Sequence, residues 1–447
     1  MKIKTLSRSM TPLFVAALFL TGCSDPSVEA AAEPASPADW PAVDTPLDGV
    51  ELTLWTAEST ASVPAGVAAA FEELTGATVN LTVVPDQYEA NAKTKLATGA
   101  KPDLMFWETN VSVLNTIQAE ENLQPLDGAP WFELLDADSQ RLGVKDDVHY
   151  GAIIKSYEVM GVYYNLNNFE KAGITDVPHS WDELAAAAQK LKDAGVEAPF
   201  YEAAGDQWPV QWGAQMSLAD LSADGFYGDL NTAQASFSDA AVVDRLTAFT
   251  DLYAEDGMAN SNIKTATFAD QGAALMSGEA GMEFHVNAIV DQLSQAYSLE
   301  EIDETVGFFP ISPEGNNGTM SGGQANSLVA YRTGDETREA AARQFLTFWL
   351  TDYYPTFIEE MGYVSIQPAV ASPAGIPQAT LDSTPAGAAE KFGSTAVASM
   401  QMEAINNPDL YLNMAEVLQG AKTPQEAADA TQAQFEQLAR AAGVAGF

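Results

Sequence analysis

Cysteine is almost missing from this chain of 447 residues: Cys23 stands alone, so no internal disulfide can brace the fold. Basic side chains are scarce, 20 against 62 acidic ones, for a formal charge of −42. Without a basic face there is nothing to hold a phosphate backbone, which excludes nucleic acid as a partner. Histidine occurs only at positions 149, 179 and 285, never with the His-Glu-x-x-His spacing of a catalytic zinc site, and no metal ligand is assigned. Asp136-Ala137-Asp138 opens like a calcium loop, but Arg141 stands where that loop needs glycine. There is no Gly-x-Ser-x-Gly elbow, phosphate-binding loop or dinucleotide fingerprint. The adjacent acids Glu120-Glu121, Asp146-Asp147 and Glu359-Glu360 would point to different sides of a helix rather than flank one glycosidic bond. The reading is a non-enzyme with no catalytic residue and no cofactor.

What is present is a folding composition. Hydrophobic residues make up 47% and charged ones 18%, which separates the chain from acidic disordered tails. At this length a single compact core is outgrown and two lobes are expected. Lys2, Lys4 and Arg8 precede an apolar stretch over 10–20 that is too short to span a bilayer as a helix, so residues 1–22 read as an export signal. Leu20-Thr21-Gly22-Cys23 closes it and resembles the bacterial lipobox. That resemblance implies cleavage before Cys23 and lipidation of it, and two or three acyl chains would make a firm membrane anchor. Residues 23–48, rich in Ala, Pro, Ser, Asp and Glu, read as a solvated tether reaching about 3 Å per residue.

From residue 50 onward strand and helix patterns alternate. Strands are expected over 50–55, 77–84 and 103–107, with helices over 64–74 and 88–98 that stop at Gly76 and Gly99. This order predicts a parallel sheet with right-handed crossovers, and a ligand at the carboxyl ends of its strands. Strands follow over 159–165, 305–309 and 327–331. Helices follow over 180–194, 240–256, 272–281, 336–350 and 423–442. The fold class is α/β in two lobes.

Several pieces then combine. Phe71-Glu72-Glu73-Leu74-Thr75-Gly76-Ala77-Thr78-Val79 is followed by Ala97-Thr98-Gly99-Ala100-Lys101-Pro102-Asp103-Leu104, and later by Val162-Tyr163-Tyr164-Asn165 and Ser180-Trp181-Asp182-Glu183-Leu184. Phe268-Ala269 leads to Gly278-Glu279-Ala280-Gly281-Met282, and Ser321-Gly322-Gly323 precedes a strand and a helix with Phe345, Phe348 and Trp349. In this order the chain, from about residue 50 to its end, resembles the carbohydrate-binding solute receptors of bacterial ABC importers, the family that includes maltose-binding protein. Gly281 departs from the family's frequent alanine, and His285 stands near where the family has a tryptophan.

The resemblance implies a two-lobed periplasmic-binding-protein-like fold with a ligand cleft between the lobes. It implies three crossings, matching positions near 151–157, 282–287 and 321–327. The amino lobe would combine 49–152 with 286–323, and the carboxyl lobe 153–285 with 324–447. It further implies a monomeric, lipid-anchored receptor, in the periplasm or on the outer face of the cytoplasmic membrane. A carbohydrate would be its ligand, and an ABC permease with its ATPase its partners.

A pyranose has apolar CH faces and a rim of hydroxyls, so its receptor needs aromatic platforms and convergent polar groups. Trp208 and Trp212 flank the start of a helix opened by Pro209; Trp55 and Trp107 fall at strand ends; Tyr157 sits at the first crossing. Core packing is the competing reading for each. The polar candidates are Glu58, Asp86, Glu108, Asn110, His285 and Gln324, while Gly322 and Gly323 would let backbone approach the ligand or act as a hinge. More than one stacking platform favours an oligosaccharide. The alternatives are a non-sugar solute such as a polyamine in the same fold, and a secreted glycoside-processing enzyme.

Overall fold

A computed structural model describes residues 40–57, 60–84, 88–315, 318–321, 327–397 and 410–447. The export signal, Cys23 and the start of the tether lie outside these residues. The end of the tether does not behave as solvated chain. Trp40 packs edge-on against Trp131 with ring centroids 5.0 Å apart, Leu47 is buried in the core, and Gln344 donates to the carbonyls of Val43 and Thr45. Proline-rich composition hides these apolar anchors, so the stretch from residue 40 belongs to the body.

The first sheet begins with β1 (Glu51–Thr56), whose Leu52 and Leu54 are buried. Helix α1 (Ala65–Thr75) ends at Gly76, which at φ 78° adopts the left-handed cap that glycine tolerates best. Then come β2 (Thr78–Val83), α2 (Tyr88–Ala97) and β3 (Leu104–Trp107). Strand β1 runs parallel to both β2 and β3, with Leu54 opposite Leu81 and Leu104, as the spacing predicts. A two-residue strand, β4 (Ala152–Ile153), completes this pass.

The chain next builds a second sheet. Its elements are β5 (Gly161–Asn165), α3 (Trp181–Asp193), β6 (Ala198–Phe200), α4 (Val210–Met216) and α5 (Ala240–Ala254). They continue with α6 (Phe268–Ser277), β7 (Ala280–His285), α7 (Ala288–Leu293) and β8 (Val306–Phe309). The order is β8-β5-β7-β6, with β5 antiparallel to both neighbours. Helix α6 starts earlier than expected because Thr267 and Asp270 form a reciprocal capping box, and it stops at Gly278, leaving 280–285 to the strand.

Strand β9 (Ser327–Ala330) then returns to the first sheet, antiparallel to β3 and β4, giving the order β2-β1-β3-β9-β4. The sheet is therefore mixed rather than wholly parallel. Helices α8 (Glu336–Leu350) and α9 (Tyr354–Met361) cover it, with Phe345, Trp349 and Phe357 in one core with Phe71 and Phe106. The chain goes back once more. Helices α10 (Gln378–Asp382) and α11 (Pro385–Phe392) place Ala379 and Ala388 beside Phe308, while α12 (Leu410–Leu418) and α13 (Pro424–Ala442) add Met414 and Phe435 to the second core.

This pairing corrects the expected lobe boundaries. Strand β8, within 286–323, belongs to the second sheet, whereas β9, α8 and α9, within 324–447, belong to the first. Nor does the chain cross at 282–287, where Val286, Ile289 and Val290 stay in the cores of the second lobe. Short apolar strands look alike in sequence whichever sheet edge receives them, so membership is settled only by pairing. The first passage between lobes lies between Ile153 and Gly161, the second leads into Ser327, and the third lies between Met361 and Gln378.

Candidate functional site

Trp208 is set by a tight turn before α4. Its amide donates to the Asp206 carbonyl at 2.7 Å, and Gln207 takes a left-handed φ of 66°, uncommon for a residue other than glycine. The Asp206 carboxylate accepts from the Phe268 amide at 2.8 Å, tying this turn to the start of α6. Helix α4 lies against α5 because Gly213 has no side chain; a Cβ there would sit 2.3 Å from the Phe249 ring. The result is an aromatic box at the carboxyl end of β7. Phe268 stacks on His285 at 5.1 Å, Trp208 meets Phe268 edge-on at 4.8 Å, and Trp208 and Trp212 lie 5.7 and 5.8 Å from His285.

Two polar atoms in this box have no partner among the described residues. His285 is fully buried, and its Nδ1 lies 2.8 Å from the Val286 carbonyl, which makes that nitrogen the donor and leaves Nε2 an unused acceptor. Burial lowers the imidazole to about 4, so the ring is neutral. Trp212, only 6% exposed, buries an indole N–H that also lacks an acceptor. Gly281, four residues earlier in β7, is explained by crowding, since a Cβ would lie 2.8 Å from both Leu191 and the Pro199 carbonyl.

In the amino lobe the strand-end residues behave differently. Trp55 and Trp107 are both buried, packed with Val84, Met105 and Leu114, and the Trp107 indole donates to the Val113 carbonyl. The helix over Val111–Thr116 and α2 close over these strand ends, so neither tryptophan presents a free face. Asn110 is buried too, and its side chain accepts from the Val113 amide as the cap of that helix. Glu108 is only partly buried, and its carboxyl is pushed up to about 7, first by burial and then by the charge of Glu89. Tyr157 is buried at the first passage, its phenol raised by burial and by Asp138. Glu58, Asp86, Gly322, Gly323 and Gln324 lie outside the described residues.

A charged cluster at the passages was missed by the sequence reading. Lys155 lies 3.7 Å from the Glu158 carboxylate and 4.8 Å from the centroid of the Tyr363 ring, and the Ser156 amide donates to the Val364 carbonyl, joining the first and third passages. Burial pulls the Lys155 ammonium down, but the charges of Glu158 and Asp291 outweigh it and leave it above the ordinary lysine value. Its signal was there: a lone lysine after Ala152-Ile153-Ile154 in a chain poor in cations. Two further carboxyls, Glu202 after β6 and Glu283 within β7, are buried. Glu202 accepts from the Ala203 amide at 2.9 Å and from the Tyr253 hydroxyl at 3.2 Å, whereas neither oxygen of Glu283 has a partner among the described residues. Among the described residues no group of three or more His, Cys, Asp or Glu could hold a metal ion, and no helix is long and apolar enough to cross a membrane.

Two mixed sheets joined by three passages, with an aromatic box at a strand end, define a two-lobed solute receptor. The profile of the bacterial extracellular solute-binding protein family matches residues 56–353, and the chain belongs to that family, the solute receptors of ABC transporters. Its fold matches solved structures over most of their length. A chitin oligosaccharide binding protein is 21% identical with a TM-score of 0.69, covering 87% of this chain and 98% of its own. The solute receptor AcbH, described by its preference for β-D-galactopyranose, is 20% identical with a TM-score of 0.68, covering 90% and 99%. RafE in complex with raffinose is 17% identical with a TM-score of 0.66, covering 87% and 99%. At such identities the likeness is one of fold.

Proposed function

We propose that this protein is an exported receptor, anchored through lipid on Cys23, that captures a sugar, with an oligosaccharide favoured, between its lobes and delivers it to an ABC import permease. The observation that carries this reading is the box of Trp208, Trp212, Phe268 and His285, with one unused donor and one unused acceptor. Aromatic faces suit the CH surface of a pyranose, and a buried N–H and an imidazole nitrogen suit a hydroxyl, which both donates and accepts. The names of the structural neighbours, which speak of chitin oligosaccharide, galactopyranose and raffinose, point to the same ligand class. A ligand closes the lobes only as far as it prefers the closed state. Calorimetric titration of the mature protein with mono-, di- and trisaccharides and with polyamines tests this; heat with a polyamine alone, or with no sugar, overturns it.

Glu108 adds a pH signature. Its carboxyl is raised to about 7 without ligand, and only the ionised form accepts from two sugar hydroxyls, so affinity should climb as pH rises from 6 to 8. The Glu108→Gln variant should bind with an affinity that is flat over this range. An equally steep pH profile in the variant would remove Glu108 from the site. For the anchor, Cys23→Ser is expected to move the protein from the membrane fraction to the soluble one, and a variant that stays with the membrane would refute lipidation there.

A further inference from the structure

A second recess lies outside the aromatic box, between α3 and α5. The two helices present matching stripes at helical spacing, Asp182, Ala185 and Gln189 on one and Ala248, Asp251 and Glu255 at and just past the other. The alanines leave the groove open, and the cavity has a volume of about 330 Å³, within the range of pockets that hold a ligand group. Its floor is apolar, formed by Trp181, Phe200, Leu252 and Met258, all buried. The Trp181 indole N–H is buried there without an acceptor among the described residues.

The rim is acidic and one end already receives an ammonium. Lys192 reaches the Glu255 carboxylate at 3.0 Å and the Asp256 carbonyl at 2.6 Å. Asp182 and Asp251 have no such counterion among the described residues. An aromatic floor under two uncompensated carboxylates is complementary to a cation on an apolar stem, which can bury its methylenes and keep its head at the rim. A peptide carbonyl beside that stem would satisfy the indole N–H. We propose that this groove docks an arginine or lysine side chain presented by the ABC transporter that the receptor serves. The proposal rests on the receptor class and not on the identity of the solute.

The test uses mature protein labelled with 15N at its tryptophan indoles, with the Trp181 resonance assigned by its loss in Trp181→Phe. Blocked arginine and blocked lysine (N-acetyl, N-methylamide) should move that resonance saturably, and blocked norleucine and blocked glutamate should not. The double variant Asp182→Asn/Asp251→Asn should weaken the effect by about fivefold, as expected for two exposed charges, and Ala185→Met, which fills the groove from an exposed position, should abolish it. No movement, equal movement with norleucine, a response that survives Ala185→Met, or movement with putrescine alone would each overturn the site. In cells, Ala185→Met should retain solute affinity in the purified receptor yet lose uptake, and normal uptake would overturn the assignment to the transporter.

Discussion

Replacing Trp208 with alanine is expected to weaken sugar binding by roughly 30-fold, about 2 kcal/mol, the cost typical of truncating a tryptophan at the centre of a contact surface. The same change should move the unfolding midpoint little, because Trp208 is only half-buried and meets Phe268 edge-on. Trp212→Ala should weaken binding as well, because its indole N–H is the unused donor of the box, and it should also cost stability. That ring is 6% exposed and lies in the core with Phe249 and Phe284, so its loss leaves a large cavity and should cost about 3–5 kcal/mol of stability. Calorimetry and urea unfolding on the two variants separate the roles. Unchanged affinity in Trp208→Ala would remove the platform on which the sugar reading stands.

The second large effect concerns pH. Burial pushes the Glu202 carboxyl from an ordinary value of 4.5 up to about 7, and drives Glu283 well above the same value, with the charge of Glu202 adding to it. The folded state therefore holds these protons more tightly than the unfolded chain does. The Glu202 contribution to stability is complete below the unfolded value near 4.5 and is lost as pH rises through about 7. For Glu202 the loss is roughly 3 kcal/mol. Glu202→Gln should shrink the difference between urea unfolding at pH 4.5 and at pH 8 by about that much. Glu283→Met, which replaces an unpartnered buried carboxyl with an apolar chain of similar length, should raise stability at pH 8 outright. An unchanged pH profile in both variants would show that neither acid is protonated in the folded protein.

The secondary structure was legible to within a residue or two over most of the chain. Residues 64–74, 180–194 and 336–350 carried both an apolar period and end signals, and the helices appear there as Ala65–Thr75, Trp181–Asp193 and Glu336–Leu350. Local pattern carries no address for a strand within a sheet. Strand β8 and strand β9 are equally apolar, yet one completes the second sheet and the other is inserted into the first. Trp55 and Trp107 end strands as platforms would, but α2 and the helix over Val111–Thr116 cover them. Phe268 is not legible as a member of the box, since its place there comes from stacking on His285, 17 residues further along the chain.

The sequence alone determined the α/β class, the positions of most elements and the likeness to solute receptors. These follow from composition and from periodicity over short windows, where each residue acts through its near neighbours. Only the tertiary structure decided which sheet each strand joins, which tryptophans line a box and which fill a core, and that Lys155, Glu158 and Asp291 act on one another. Such facts depend on contacts between residues from 17 to more than two hundred positions apart, whose energies are set by burial and by the charges they meet there.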